Sequence, residues 1–178
     1  MARAAVDQLV YMLDEAFEGV EGPWESMLGN LASVIEDDWL WVSPHGARTI
    51  RRIIGHVGGA AYLYYDRAFG GYADFGEPIN WNIPAGNLGH GTLELADSPH
   101  LDPEPPMADV VPWATERARI FRDAVAALDD DDQLREERLT HHRQPRPISW
   151  FAAVMAQHYA YHVGEINHIR ALHQGNDG

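Results

Sequence analysis

The chain contains no cysteine among its 178 residues. This absence excludes disulfide bonds, thiolate metal ligands and a cysteine nucleophile within the chain. It also agrees with a protein held in the reducing cytoplasm, which is the localisation we expect.

Basic residues are scarce as well. The chain has 13 Lys and Arg against 27 Asp and Glu, a formal net charge of -14. Proteins that bind nucleic acid need clustered positive charge opposite the phosphates. We therefore expect no nucleic-acid partner, and solubility explains the acidic surface most simply.

Long apolar runs are missing too. No stretch is long enough to span a membrane, and the first residues lack the apolar core of a signal peptide. We expect no membrane partner. The length and the 46% hydrophobic content suit one domain over residues 1–178 with its own core.

Several catalytic motifs do not occur. The stretch His158-Tyr-Ala-Tyr-His162 lacks the glutamate that follows the first histidine in zinc peptidases. No Glu-x-x-His pair repeats on two helices, as a di-iron bundle requires. Neither a Gly-x-Ser-x-Gly elbow nor a phosphate-binding glycine loop is present. These absences argue against the corresponding enzyme classes.

Apolar residues at helical spacing predict an all-α fold. The predicted helices cover residues 4–18, 24–36, 47–69, 113–128 and 149–173, with a short extra turn over 133–138 that Asp132 caps. The first two can be one kinked helix or two. We expect a four-helix bundle with short accessory helices and a long loop between its second and third helices.

The connections carry less information. The predicted loop over residues 72–112 holds Trp81, His90 and His100, and a loop histidine is either a further ligand or a residue without a role. In the connection over 37–46, we expect Trp39 and Trp41 to pack against one end of the bundle. A polar connector over 140–146 places His141 and His142 on the surface.

The last predicted helix organises the chain. We expect Pro147 in its first turn, Ser149 to help cap that end, and Gly175 where the helix stops. One face combines apolar residues with two histidines and a glutamate: Phe151, Val154, Met155, His158, His162, Glu165, Ile169 and Leu172. His158 and His162 lie one turn apart on this face. They are either core residues held by ordinary hydrogen bonds or joint ligands of one metal ion.

The second main helix places another histidine among apolar neighbours. Ile53, Ala60 and Leu63 share a face with His56, so His56 points inward. The glycines around it (Gly55, Gly58 and Gly59) suggest that a neighbouring helix approaches closely. We interpret Arg48, Arg51 and Arg52 as a solvated face or as counter-charges for the acidic surface. Arg67 can orient an acidic ligand, but a surface ion pair is the preferred interpretation.

Two of these segments resemble a known family. Gly46-Ala-Arg-Thr-Ile50 leads to Ile53-Ile-Gly-His56-Val57, and His158-x3-His162-x-Gly-Glu165-Ile166 follows near the C-terminus. Together they resemble the DinB/YfiT-like superfamily of four-helix bundles. The resemblance implies that His56, His158 and His162 bind a divalent metal. Three imidazoles accept zinc, nickel, iron or manganese, so the ligands do not select the metal.

One position departs from the family pattern. The family commonly has glutamine directly after the glycine of this motif, and here Glu165 follows Gly164. Its carboxylate can hydrogen-bond a ligand from outside, act as a fourth ligand, or do neither.

The resemblance implies an enzyme acting on small molecules. Relatives include S-transferases and isomerases that use a low-molecular-weight thiol such as bacillithiol or mycothiol, and others are described as metal-dependent hydrolases. Because this chain has no cysteine, any thiol must come from a cofactor. The alternative is a non-catalytic metal- or ligand-binding bundle. Relatives also often form homodimers, which we expect here through a Trp-rich surface on the short helices.

Overall fold

Four long helices form the body of the protein. A computed structural model describes residues 3–22, 25–44, 48–70 and 106–175. The long helices are α1 (Ala4–Phe17), α4 (Ile50–Phe69), α5 (Met107–Ala126) and α6 (Ile148–Gln174). Short helices α2 (Met27–Leu31) and α3 (Glu36–Trp39) lie between α1 and α4. The predicted all-α bundle is confirmed.

The bundle places α4 beside α6. Helices α1 and α4 each pack extensively against both α5 and α6, so the order around the bundle is α1, α6, α4, α5. The α4/α6 groove and the α1/α5 groove therefore lie on opposite sides. The core between them is built from large apolar side chains, including Leu13, Ile53, Phe121, Phe151 and Met155.

Helix α6 is one residue longer at each end than the predicted 149–173. It starts at Ile148 with Pro147 before it, and no side chain caps this end, so the predicted cap by Ser149 is wrong. Gly175 ends the helix with a positive φ of 71°, as predicted. The predicted inward face fails at Leu172, which is 51% exposed.

The predicted helix over residues 24–36 is two short helices. The Ser26 hydroxyl accepts a hydrogen bond from the Gly29 amide and starts α2, which ends at Leu31. The Asp38 carboxylate accepts from the Ile35 amide and starts α3 inside the predicted connection. These local side-chain bonds outweigh the continuous apolar pattern. Trp39 is buried and Trp41 packs on the core, which confirms their predicted packing role.

Helix α4 starts at Ile50 rather than at residue 47. The Thr49 hydroxyl accepts from the Arg52 amide and caps this end. Arg51 is 1% exposed, so the prediction of a solvated arginine face is wrong there. The arginine lies on the side of α4 that faces the core.

The close approach predicted at the glycines occurs at Gly58. A Cβ atom at this position would meet the Trp113 ring and come within 3.0 Å of Ala114 Cα on α5. Gly59 differs, because a Cβ there would meet nothing within 4 Å. Helix α4 therefore packs on α5 through Gly58, next to the turn that carries His56.

Helix α5 begins six residues before the predicted start at Trp113 and contains Pro112. Proline removes one backbone hydrogen bond inside a helix. Burial of Val110 and Trp113 on either side of Pro112 stabilises the helix against this loss. The rest of the predicted loop, with Trp81, His90 and His100, lies outside the described residues.

A β-hairpin replaces the connector before α6. The predicted turn over 133–138 is a 3₁₀ helix, Gln133–Arg135, and Asp130 rather than Asp132 accepts hydrogen bonds from the backbone there. Strand β1 (Glu137–Leu139) then pairs antiparallel with β2 (Pro145–Pro147). Arg143 closes the turn with a φ of 59°.

Candidate metal centre

Three histidines from two helices meet in the α4/α6 groove. Helix α4 carries His56, and α6 carries His158 and His162 one turn apart. Two such residues at i and i+4 project from the same face of a helix. The packing of α4 on α6 then brings the third ring to the same point.

The Nε2 atoms of the three rings converge. His158 Nε2 lies 2.8 Å from His56 Nε2 and 3.0 Å from His162 Nε2. One nitrogen from each of the three residues lies within 4.8 Å of the other two. Imidazole nitrogens bind zinc at about 2.0–2.1 Å, so nitrogens this close can all reach one ion.

Hydrogen bonding within the cluster cannot satisfy all three rings. The Glu165 carboxylate lies 2.8 Å from His162 Nδ1, so Nδ1 carries the proton and Nε2 of the neutral ring holds a lone pair. If His158 Nε2 carries a proton, it can donate a good hydrogen bond to only one of its two neighbours, His56 Nε2 or His162 Nε2. His158 Nδ1 is then left as an acceptor. That atom is buried without a hydrogen-bond partner among the described residues. A cation accepts all three lone pairs, so the donor set fits a metal ion.

The surroundings of His158 and His162 favour the neutral form of both rings. Burial, together with the charges of His162, His56 and Arg48, lowers the pKa of His158 to about 3. Burial also lowers the pKa of His162, against the hydrogen bond and charge of Glu165, which raise it. Arg48 adds to the lowering. Metal binding requires neutral imidazoles, and the environment supplies them at neutral pH.

Two of the three histidines are partly exposed in the part of the chain that the structure describes. His162 is 2% exposed and lies deepest, whereas His56 and His158 are only half-buried. The described residues therefore do not seal the cluster. A site with an accessible side can exchange ligands, unlike a closed structural metal site.

Glu165 contacts the cluster from behind. Its Oε2 atom reaches Nδ1 of His162, the ring nitrogen that points away from the other two histidines. The contact is that of a hydrogen-bond partner outside the cluster, one of the arrangements that the sequence left open.

Arg48 was missed as a neighbour of the cluster. The sequence suggested a solvated arginine, but its charge acts on both His158 and His162. The available signal was its position just before the Thr49 cap of α4, about two helical turns before His56.

The remaining candidates lie elsewhere. His142 is exposed as predicted, but His141 is half-buried beside Tyr64, at 6.1 Å between ring centroids. Burial lowers the pKa of His141, and His142 and Arg67 lower it further. Arg67 is 6% exposed, so its predicted place on the surface is wrong. It lies near the last turn of α4, away from the three histidines.

A family model described as the DinB superfamily matches residues 20–166, which include every residue of the cluster. The chain belongs to the DinB superfamily. Its three-histidine cluster can hold a metal ion. No curated protein matches this DinB chain. Among its described helices, none is both long and apolar enough to cross a membrane.

Proposed function

We propose that this DinB protein binds a divalent transition metal through His56, His158 and His162, and that it is an enzyme acting on small molecules. One observation carries the proposal. The three Nε2 atoms converge in an arrangement that hydrogen bonds alone do not satisfy. Zinc, nickel, iron and manganese are all compatible with these ligands.

The accessible side of the cluster favours catalysis over a structural role. His56 and His158 are half-buried, and a small molecule can approach the centre beside them. A metal held there would supply Lewis-acid activation of an oxygen or sulfur atom of the substrate or cofactor.

The protein's own residues prepare the site. Glu165 holds the proton of His162 on Nδ1 and so aims the Nε2 lone pair into the cluster. His162, the deepest ring, is the anchor of the site. The positive charge of Arg48 opposes protonation of His158 and His162.

Two reactions fit this centre. The first is S-transfer with a low-molecular-weight thiol cofactor, since the chain has no cysteine to act as the nucleophile. The second is hydrolysis. A homodimer in the cytoplasm is part of the same proposal, and its interface includes the exposed apolar side chains Ile35, Leu40 and Val42 near the short helices.

A turnover assay tests the enzyme proposal. Metal-loaded protein is offered bacillithiol, mycothiol or glutathione with monochlorobimane, and separately p-nitrophenyl acetate. We expect turnover with one substrate class and a loss of at least about 100-fold in His162→Ala, more than removal of an outer partner of a ligand costs. His168→Ala, an exposed histidine on the same helix, is the control and keeps the activity.

Two outcomes contradict the proposal. Equal rates in wild type and His162→Ala would separate any activity from the cluster. Metal-loaded protein that turns over no substrate of either class would favour the non-catalytic bundle instead.

A further inference from the structure

The β-hairpin before α6 concentrates positive charge. Residues 138–146 include Arg138, Arg143 and Arg146 together with two histidines, and none of these residues is acidic. The chain as a whole has a net charge of -14, so its average surface repels anions. A group of arginines without intervening carboxylates is therefore a candidate anion site on this protein.

The strand register places two of these arginines face to face. Arg138 of β1 lies directly opposite Arg146 of β2. Side chains in this position project from the same face of the hairpin, and the Cα atoms of such a pair lie about 4.5–5.5 Å apart. Like charges directly opposite each other destabilise a strand pair. An anion held between the two guanidinium groups would replace this repulsion with attraction.

The two guanidinium groups differ in their existing contacts. Arg138 donates from Nη2 to the Glu136 carboxylate at 2.7 Å and from Nη1 to the Glu137 carbonyl at 3.0 Å. These contacts hold its guanidinium group in place. Arg146 has no carboxylate partner in the described part of the chain, and its hydrogen bond to Gln144 Oε1 is long, at 3.4 Å. Two arginines and one glutamate therefore leave one positive charge for an anion.

Trp150 borders the same face of the hairpin. The guanidinium carbon of Arg146 lies 5.9 Å from the centre of the Trp150 ring, within the range of a cation–π contact. The Trp150 ring is half-buried and makes edge-to-face contacts with Tyr64 and Phe151, at 6.0 and 5.2 Å between ring centroids. The aromatic ring therefore restricts Arg146 and offers an apolar flank to the organic part of a ligand.

The turn between the strands contains a third arginine in an unfavourable conformation. Arg143 has a φ of 59°, in the left-handed region that favours glycine. Its amide closes the turn with a hydrogen bond of 2.8 Å to the Thr140 carbonyl. Residues held in this way cluster at functional sites. Glycine would suit the backbone here, whereas arginine adds a third positive charge to the hairpin.

We propose that the hairpin binds a phosphate group between Arg138 and Arg146. A phosphate group presents three or more acceptor oxygens, so it can accept hydrogen bonds from both guanidinium forks at once. The site is separate from the histidine cluster, because His158 lies ten residues beyond Ile148, about 15 Å along α6. Phosphate binding here does not require the metal centre.

The test is an NMR titration of the full chain that follows the Nε–H signals of its arginines. Inorganic phosphate and phenyl phosphate are added separately at low ionic strength. We expect the Arg138 and Arg146 signals to shift, with a dissociation constant below about 1 mM for at least one probe. Tighter binding of phenyl phosphate would identify the ligand as a phosphate ester whose ring contacts Trp150. Equal affinities would identify it as phosphate itself.

Exposed arginines of the hairpin region provide the variant and its matched control. Arg146→Gln removes the charge that lacks a carboxylate partner and should weaken phosphate binding by at least about 10-fold, the effect of one charge-assisted hydrogen bond. Arg135→Gln should bind phosphate like wild type, because Arg135 is also exposed but is paired with Asp132 at 2.9 Å. Neither side chain belongs to the core, so both variants should fold.

Three results would overturn the proposal. The first is wild-type protein that binds neither probe below about 1 mM. The second is Arg146→Gln protein that binds both probes as tightly as wild type. The third is a hexaglutamate peptide that shifts the same arginine signals at lower concentrations than either phosphate, which would make an acidic peptide the ligand.

Discussion

Glu165 determines how His162 faces the proposed metal centre. The carboxylate holds the outer nitrogen of the ring at 2.8 Å, and its side chain is 28% exposed. A neutral imidazole held in this way presents its other nitrogen as a lone pair. The orientation of the deepest ligand therefore depends on one side chain, three residues further along α6.

Replacing Glu165 should weaken metal binding in a graded way. Glutamine keeps an oxygen acceptor for the Nδ1 proton but loses the negative charge, so Glu165→Gln should reduce metal affinity by about 10-fold. Glu165→Ala removes the acceptor and should reduce it by about 100-fold. Competition with a chromophoric chelator measures both. Glu116→Gln, an exposed glutamate on α5, is the control, and unchanged affinity in both Glu165 variants would contradict this role.

The histidines were predictable from the sequence because helical spacing alone places His158 and His162 on one face and His56 on an inward face. Arg48 was not, because its effect depends on where the segment before α4 lies relative to α6. Tyr159 was not either. Its ring occupies a face of α6 that is buried against a different helix, and a single-face projection of α6 does not separate the two sides.

At the scale of elements, two neighbouring glycines in α4 occupy opposite environments. Gly58 lies against Trp113 and the α5 backbone, whereas Gly59 faces open space. The contact at Gly58 sets the distance between α4 and α5. It also holds the turn of α4 that carries His56.

The two glycines should respond to alanine with opposite signs. Gly58→Ala should destabilise the fold by about 1–3 kcal/mol through overpacking. Gly59→Ala should stabilise it by up to about 1 kcal/mol, because alanine is the better helix former and meets no neighbour. Urea unfolding of the pair measures both values. Destabilisation of equal size in the two variants would contradict the assigned contact.

Asp38 joins α3 to the end of α6. The carboxylate is fully buried and accepts hydrogen bonds from His173 Nδ1 and Gln174 Nε2, each at 2.6 Å, and from the Ile35 amide at 2.9 Å. Burial by itself raises the pKa of Asp38, but these hydrogen bonds and the charge of His173 outweigh it and lower the pKa.

The stability from Asp38 should depend on pH. A carboxylate with a lowered folded pKa stabilises the fold fully above its unfolded pKa of about 3.9, and this contribution is lost as the pH falls through the folded value. Asp38→Asn should cost about 1.5–3 kcal/mol at pH 7, and the difference from wild type should shrink below about pH 4. Thermal unfolding across this range measures it. Asp37→Asn, exposed and adjacent, is the control, and a difference independent of pH would contradict the account.

The long helices were predictable because their apolar periodicity continues through several turns. The short elements were not, because local bonds decide them. Ser26 and Asp38 start α2 and α3 within one apolar pattern. The hairpin strands have only three residues each and include two prolines, so neither shows a strand pattern.

At the scale of the whole molecule, the order of helices around the bundle separates the histidine cluster from a cavity. The cluster lies in the α4/α6 groove, and the cavity, which residues of α1 and α5 line, lies in the opposite groove. Helix α6 contributes to both, with His158 and Tyr159 adjacent in sequence. One helix therefore supplies two histidines of the cluster on one face and part of a cavity wall on another.

The surface proposed for the homodimer lacks the exposed tryptophans that the sequence suggested. Trp39 is buried and Trp41 stacks on His173 at 4.9 Å between ring centroids, so neither provides the expected Trp-rich surface. The apolar exposure near the short helices comes instead from Ile35, Leu40 and Val42. Aliphatic side chains of this kind are the surface that a partner subunit would cover.

Metal analysis tests the central claim most directly. Protein purified without a histidine tag or chelator is analysed for transition metals as wild type, His162→Ala and His168→Ala. We predict close to one equivalent of metal in wild type and His168→Ala, and its loss in His162→Ala. Metal retained in His162→Ala, or absent from every sample after reconstitution, would contradict the three-histidine metal centre.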